Sequence, residues 1–119
     1  MQKEDTEKYV KAAERILKDI EKDIIRTEGG GGGKGSVTTS MVRKTLELAK
    51  ASKSYLEFKL RLGYMVARNL PEKERNTPLE KFYENLKRET SKGDLKELND
   101  LMKYVVMRFT VLAKLGKEE

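Results

Sequence analysis

The sequence predicts an all-α protein, a compact bundle of about five helices whose first helix is tethered by a Gly-rich linker. Three observations predict it. Apolar residues recur at steps of three and four through most of the chain, the period that gives a helix one buried stripe. Hydroxyl residues or Asp stand directly ahead of three of these runs, where a helix start needs an acceptor for its unpaired N–H groups. No stretch alternates apolar and polar residues between turn signals, so no strand competes. A chain of 119 residues is one domain's worth, so 1–119 is expected to be a single helical domain. Within it the N-terminal helix spans 5–26, the Gly-rich linker 27–37 and the helical core 38–116.

The first helix follows from Val10, Ala13, Leu17, Ile20 and Ile24, a single stripe among faces dense in Lys and Glu. Gly29 to Gly33, then Lys34-Gly35-Ser36, end it, because each glycine loses backbone entropy on ordering and packs nothing. A hinge of this composition lets the first helix dock on its own chain or on a neighbour.

Val37-Thr38-Thr39-Ser40 places three hydroxyls before the next run. Two rows then follow: Met41, Thr45, Leu48, Ser52, Tyr55, Leu62 and Val66, with Val42, Leu46, Ala49, Leu56, Leu60, Gly63 and Ala67 beside them. Residues 39–69 are one long helix or two joined at Ala51-Ser52-Lys53-Ser54, and the sag in propensity there favours two. Pro71 ends the pattern, since the residue before a proline is disfavoured from helical geometry. Thr77-Pro78-Leu79-Glu80 combines a cap, a proline at the first helical position and a glutamate three residues past the cap. It opens a short helix with Leu79, Phe82, Tyr83 and Leu86 inward. Asp94 to Glu97 repeats the device ahead of Leu95, Leu98, Met102, Val105, Phe109 and Leu112, with Gly116 as the stop.

The net charge of +6 is unevenly placed. Residues 1–28 hold seven Lys and Arg against eight Asp and Glu, and residues 69–119 hold eleven against ten. Residues 34–68 hold eight bases against Glu47 and Glu57 alone. The excess therefore sits in the middle third, where it can focus field on a polyanion. If the helix is continuous, Arg43, Glu47, Lys50, Ser54, Glu57, Arg61, Tyr64 and Arg68 form one polar stripe, with Lys44 and Lys59 on flanking faces. Such a stripe reads either as a solvated face with internal ion pairs or as a track of phosphate contacts, which position a nucleic acid without reading its bases. The candidate contacts are Arg43, Lys44, Lys50, Lys59, Arg61, Tyr64 and Arg68. Arg61 and Arg68, seven apart with Tyr64 between them, are the strongest pair, and Tyr64 is either a stacking ring or a half-buried core aromatic.

Catalysis finds little to work with. The chain has no His and no Cys, so it lacks the usual acid-base group near neutral pH, a thiol nucleophile and the common zinc ligands. Its carboxylates fall on wet helix faces beside lysines or at caps. The glycine tract departs from a phosphate-cradling loop, with Glu28 and Gly35 where that motif needs Gly and Ser or Thr. An incidental nest of backbone N–H groups beside Lys34 is the residual anion-binding reading. No catalytic residue, metal or cofactor is expected. The absence of cysteine suits a reducing, cytoplasmic compartment. No apolar run reaches membrane-spanning length, and 39% charged residues with a single Gln suit a protein that works hot.

Val-Thr-Thr-Ser-Met-Val-Arg at 37–43 resembles the hydroxyl-rich start, followed by arginine, of the small subunit of type III-A CRISPR interference complexes. Phe-Lys-Leu-Arg-Leu-Gly-Tyr-Met-Val-Ala-Arg at 58–68 is similar to that family's central helix, and Phe109 to Gly116 fits its closing helix in place and length. The resemblance covers residues 37–116. It implies a helical, non-catalytic subunit that stacks with copies of itself along the inner side of the effector. It further implies partners among the other subunits of the type III-A complex, and guide and target RNA lying against Arg43, Lys59, Arg61, Tyr64 and Arg68. The analogous small subunit of the III-B complex is the rival assignment. A helical protein-protein adaptor or homodimer that never touches nucleic acid is the competing class.

Overall fold

A computed structural model describes residues 3–31 and 33–116. Gly32 of the expected linker, and residues 1–2 and 117–119 of the expected domain, lie outside the described residues. Helix α1 spans Lys3–Leu17, a 3-10 turn spans Lys18–Ile20, and α2 spans Glu21–Thr27. Then come α3 (Thr39–Ala51), α4 (Tyr55–Arg68), α5 (Pro78–Glu89) and α6 (Leu95–Leu115). With α1 and α2 taken as one bent rod, this is a compact all-α bundle of five helices. Among the described residues there is no strand, and no helix is long and apolar enough to cross a membrane.

The first rod is not the uninterrupted helix expected at 5–26. At its bend the buried Asn85 of α5 reaches in: its Nδ2 donates to the Ile16 carbonyl at 3.2 Å and to the Asp19 carboxylate at 3.0 Å. Its Oδ1 accepts from Arg88 at 3.0 Å. The rod also buries a wider face than the expected stripe. Packed against both α5 and α6, it buries Tyr9, Ala12 and Ile16 beside Ala13, Leu17, Ile20 and Ile24, whereas Val10 is 40% exposed. Tyr9 stacks on Tyr104 of α6 with ring centroids 6.1 Å apart.

The glycine tract ties the rod to its own chain, stitched at both ends. Gly29 is in the left-handed region (φ +78°), and its carbonyl accepts from the Thr39 N–H at 3.0 Å. A Cβ at Gly29 would stand 2.5 Å from Thr39 Oγ1 and 3.1 Å from Ala113 Cβ. Gly35 crosses between helices, donating to the Asn69 carbonyl at 2.8 Å and accepting from the Leu79 N–H at 2.9 Å. The backbone N–H groups of Gly29, Gly30, Gly35 and Ser36 all donate within the chain, which removes those four from the donors of an anion nest.

Two helices, not one, occupy 39–69. Helix α3 ends at Ser52, whose backbone is extended and whose hydroxyl donates to the Leu48 carbonyl at 2.7 Å. Ser54 caps α4, accepting from the Glu57 N–H at 3.1 Å. The other expected starts form as well. Thr38 accepts from Met41 N–H, Thr77 from Glu80 N–H, and Asp94 from the N–H groups of Lys96 and Glu97. Gly116 is not the left-handed stop expected of a terminal glycine: its φ is −58°. The reason for a glycine there is close packing, since a Cβ would lie 2.6 Å from Ile25 Cγ1.

Of the two apolar rows predicted for α3 and α4, the first is buried or half-buried throughout. The second holds only on α3. On α4, Leu56 is 76% and Leu60 75% exposed, because α4 packs chiefly on α3 and α5 and its second row lies roughly 140° around the helix from its buried one.

Three substitutions test this packing by urea denaturation. Gly29→Ala is expected to cost about 2–4 kcal/mol, as strain and overlap add. Gly33→Ala, with φ +100° but nothing within 4 Å of the added Cβ, should cost only about 1 kcal/mol. Asn85→Leu removes the donor to Ile16 and Asp19 and should cost about 1–3 kcal/mol.

Candidate nucleic-acid interface

The break at Ser52 to Ser54 divides the expected stripe, since α3 and α4 no longer share an axis. Between the first half of α3 and the second half of α4 lies an open groove of about 980 Å³. Four of the seven candidate residues border it: Lys44 from α3, and Arg61, Tyr64 and Arg68 from α4. Helical period explains the selection. Arg61, Tyr64 and Arg68 are three and four apart and share one face of α4, whereas Lys59 stands two residues before Arg61 on the far side. Arg43 and Lys50 are exposed beside Glu47 on the outer face of α3, away from the groove.

The groove floor was not anticipated as part of a site. Met41 and Leu48 line it from α3, and Leu60 and Met65 from α4. Thr38 and Ser40 at the start of α3 and Asn69 at the end of α4 close its rim. The usable signal in the sequence was the duplicate apolar row on α4, wider than one core contact needs.

Electrostatically the middle third is nearly uncompensated. Among the described residues, the only ion pair made by its eight bases joins Arg61 to Glu57 at 3.8 Å. That pair is a half-exposed i,i+4 contact worth about 0.3–0.5 kcal/mol. The Glu57 carboxylate also accepts from the Lys53 N–H at 3.0 Å, so its charge is shared with the helix start. Arg68 has an aromatic neighbour instead: its guanidinium lies 5.5 Å from the centroid of the Tyr64 ring. Tyr64 is 64% exposed, which makes it a surface ring and not a core aromatic. Cations stacked on an exposed ring gain about 0.5–1 kcal/mol, enough to orient the pair while leaving its charge available.

No group of three or more carboxylates among the described residues is placed to hold a metal ion. Comparisons with protein-family models, with curated proteins and with solved structures found no match. The chemistry of the groove must therefore support any functional reading.

Because these cations do little structural work, Lys44→Ala is expected to change stability by less than about 0.5 kcal/mol, and Arg68→Ala, which also loses the contact with the Tyr64 ring, by no more than about 1 kcal/mol. Thermal melts followed by circular dichroism check this; a larger loss would mean that the charges hold the fold together.

Proposed function

We propose that this chain is a non-catalytic small subunit of a type III-A CRISPR RNA-guided interference complex, forming part of the inner filament and contacting the guide-target RNA backbone without sequence specificity. The observation that carries the proposal is the exposed and almost unpaired cation set of residues 34–68, with Lys44, Arg61 and Arg68 gathered on one groove beside Tyr64. Phosphate oxygens satisfy such cations at any base sequence, and each phosphate bound displaces condensed counterions, so binding weakens steeply as salt rises. The likeness of residues 37–43, 58–68 and 109–116 to that family supplies the particular complex. Repetition of a weak site along a filament would add the contributions of many copies.

A second reading, a helical adaptor with no nucleic-acid contact, draws on the exposed Leu56 and Leu60 of α4 and on the Arg61–Glu57 pair. One experiment separates the two. In the reconstituted particle, the double variant R61A/R68A is expected to weaken RNA binding about tenfold, or ~1.4 kcal/mol. It should also lower the slope of log affinity against log salt by about one for each phosphate no longer neutralised. Unchanged affinity and unchanged slope would favour the adaptor.

A further inference from the structure

Phosphate contact alone does not account for the groove. A track for a polyanion needs cations on a wettable surface, yet Met41, Leu48, Leu60 and Met65 give this one an apolar floor, and Leu60 lies 75% exposed to water. A double helix would make poor use of such a floor. Its bases are stacked inside, and it presents sugars, 2′-hydroxyls and phosphates outward. Pressing those hydroxyls onto methionine and leucine would strip their water and return no hydrogen bond.

An unpaired nucleotide has the opposite character. It carries a flat, weakly hydrated base and a charged phosphate within one repeat of the chain, and proteins that hold single strands match it with aromatic platforms beside a basic rim. Both halves of that match meet in the groove. Tyr64 is an exposed ring held by Arg68 at 5.5 Å, and the methionine side chains beside it are polarizable and adaptable in shape. Lys44 faces Arg61 and Arg68 across the opening. A volume of about 980 Å³ is at the upper end of those that small organic ligands occupy.

From these we infer that the α3–α4 groove is a site for single-stranded RNA, taking unstacked bases on its apolar floor and on Tyr64, and their phosphates on Lys44, Arg61 and Arg68. The inference rests on the RNA-binding reading above and narrows it. Unpaired nucleotides of the bound RNA occupy the groove, while Arg43, Lys50 and Lys59 on the outer faces meet phosphate alone.

The test uses the full chain at low ionic strength, where phosphate contacts are strongest. The probes are a fluorescently labelled oligoadenylate and the same strand annealed to its complement, followed by anisotropy. The single strand is expected to bind at least about fivefold tighter than the duplex. Tyr64→Ala and Leu60→Ser should each lower single-strand affinity about five- to tenfold, leaving duplex affinity and both salt slopes unchanged. Tyr64→Phe should retain the wild-type preference, because stacking needs the ring and not the hydroxyl. Both positions are exposed, so the variants should keep the wild-type melting curve. Equal affinity for the two probes, untouched by Tyr64→Ala and Leu60→Ser, would overturn the groove assignment and leave the RNA reading standing. Binding of neither probe, with an acidic amphipathic helical peptide bound instead in a Leu60-dependent way, would overturn both.

Discussion

The buried face of α6 is the contact on which the other helices depend. Leu98, Leu101, Met102, Val105, Phe109, Leu112 and Ala113 are all withdrawn from water, and the helix packs against the α1–α2 rod and against α3. Each of the six larger side chains contributes about 1.5–3 kcal/mol relative to exposure, so a face of this length outweighs any single cap or ion pair in the bundle. It also explains the close approaches at glycine. The chain must pass close to Phe109 and Ala113 at Gly29, and Gly116 must clear Ile25, because the C-terminal part of α6 packs against α2 and the turn that follows it. A side chain at either position would separate surfaces that gain their free energy by touching.

Helix α4 stands outside that arrangement. It buries Phe58, Leu62 and Val66 but packs mainly on α3 and α5, so part of its apolar surface has no intramolecular partner. The consequence is a groove with one wall fixed by the central packing of α3 and the other formed by a peripheral helix. Such a wall can present Leu60 and Tyr64 to a ligand without disturbing the core.

Where the acids are spent is the complement of where the bases are free. Glu80 accepts from the Asn76 N–H at the start of α5, and Asp94 caps α6. Glu89 holds Arg15 at 2.8 Å and Glu21 holds Arg108 at 3.3 Å, tying the first rod to α5 and α6. The first and last thirds are thereby stitched to one another by their own opposite charges. The middle third has two acids, one of them engaged at the start of α4, and its remaining field is directed at solvent or at whatever occupies the groove.

The sequence by itself determined most of the helices and where α3, α5 and α6 start. A step of three or four is a property of one chain segment, and Thr38, Thr77 and Asp94 satisfy N–H groups only two or three residues away, so both are visible without knowing the neighbours. The concentration of bases in residues 34–68 was equally plain. What only the tertiary structure decided was which surfaces those helices spend on one another. Periodicity places Val10, Leu56 and Leu60 on apolar rows, but burial requires a partner at the right distance. The α1–α2 rod turns Tyr9 and Ile16 inward in place of Val10, and α4 has no neighbour over Leu60. Asn85 is buried only because the bent rod brings the Ile16 carbonyl to its amide. The groove itself is a relation between two helices set by a three-residue turn: Lys44 is seventeen residues from Arg61 along the chain, and only the angle at Ser52 to Ser54 puts them on one opening.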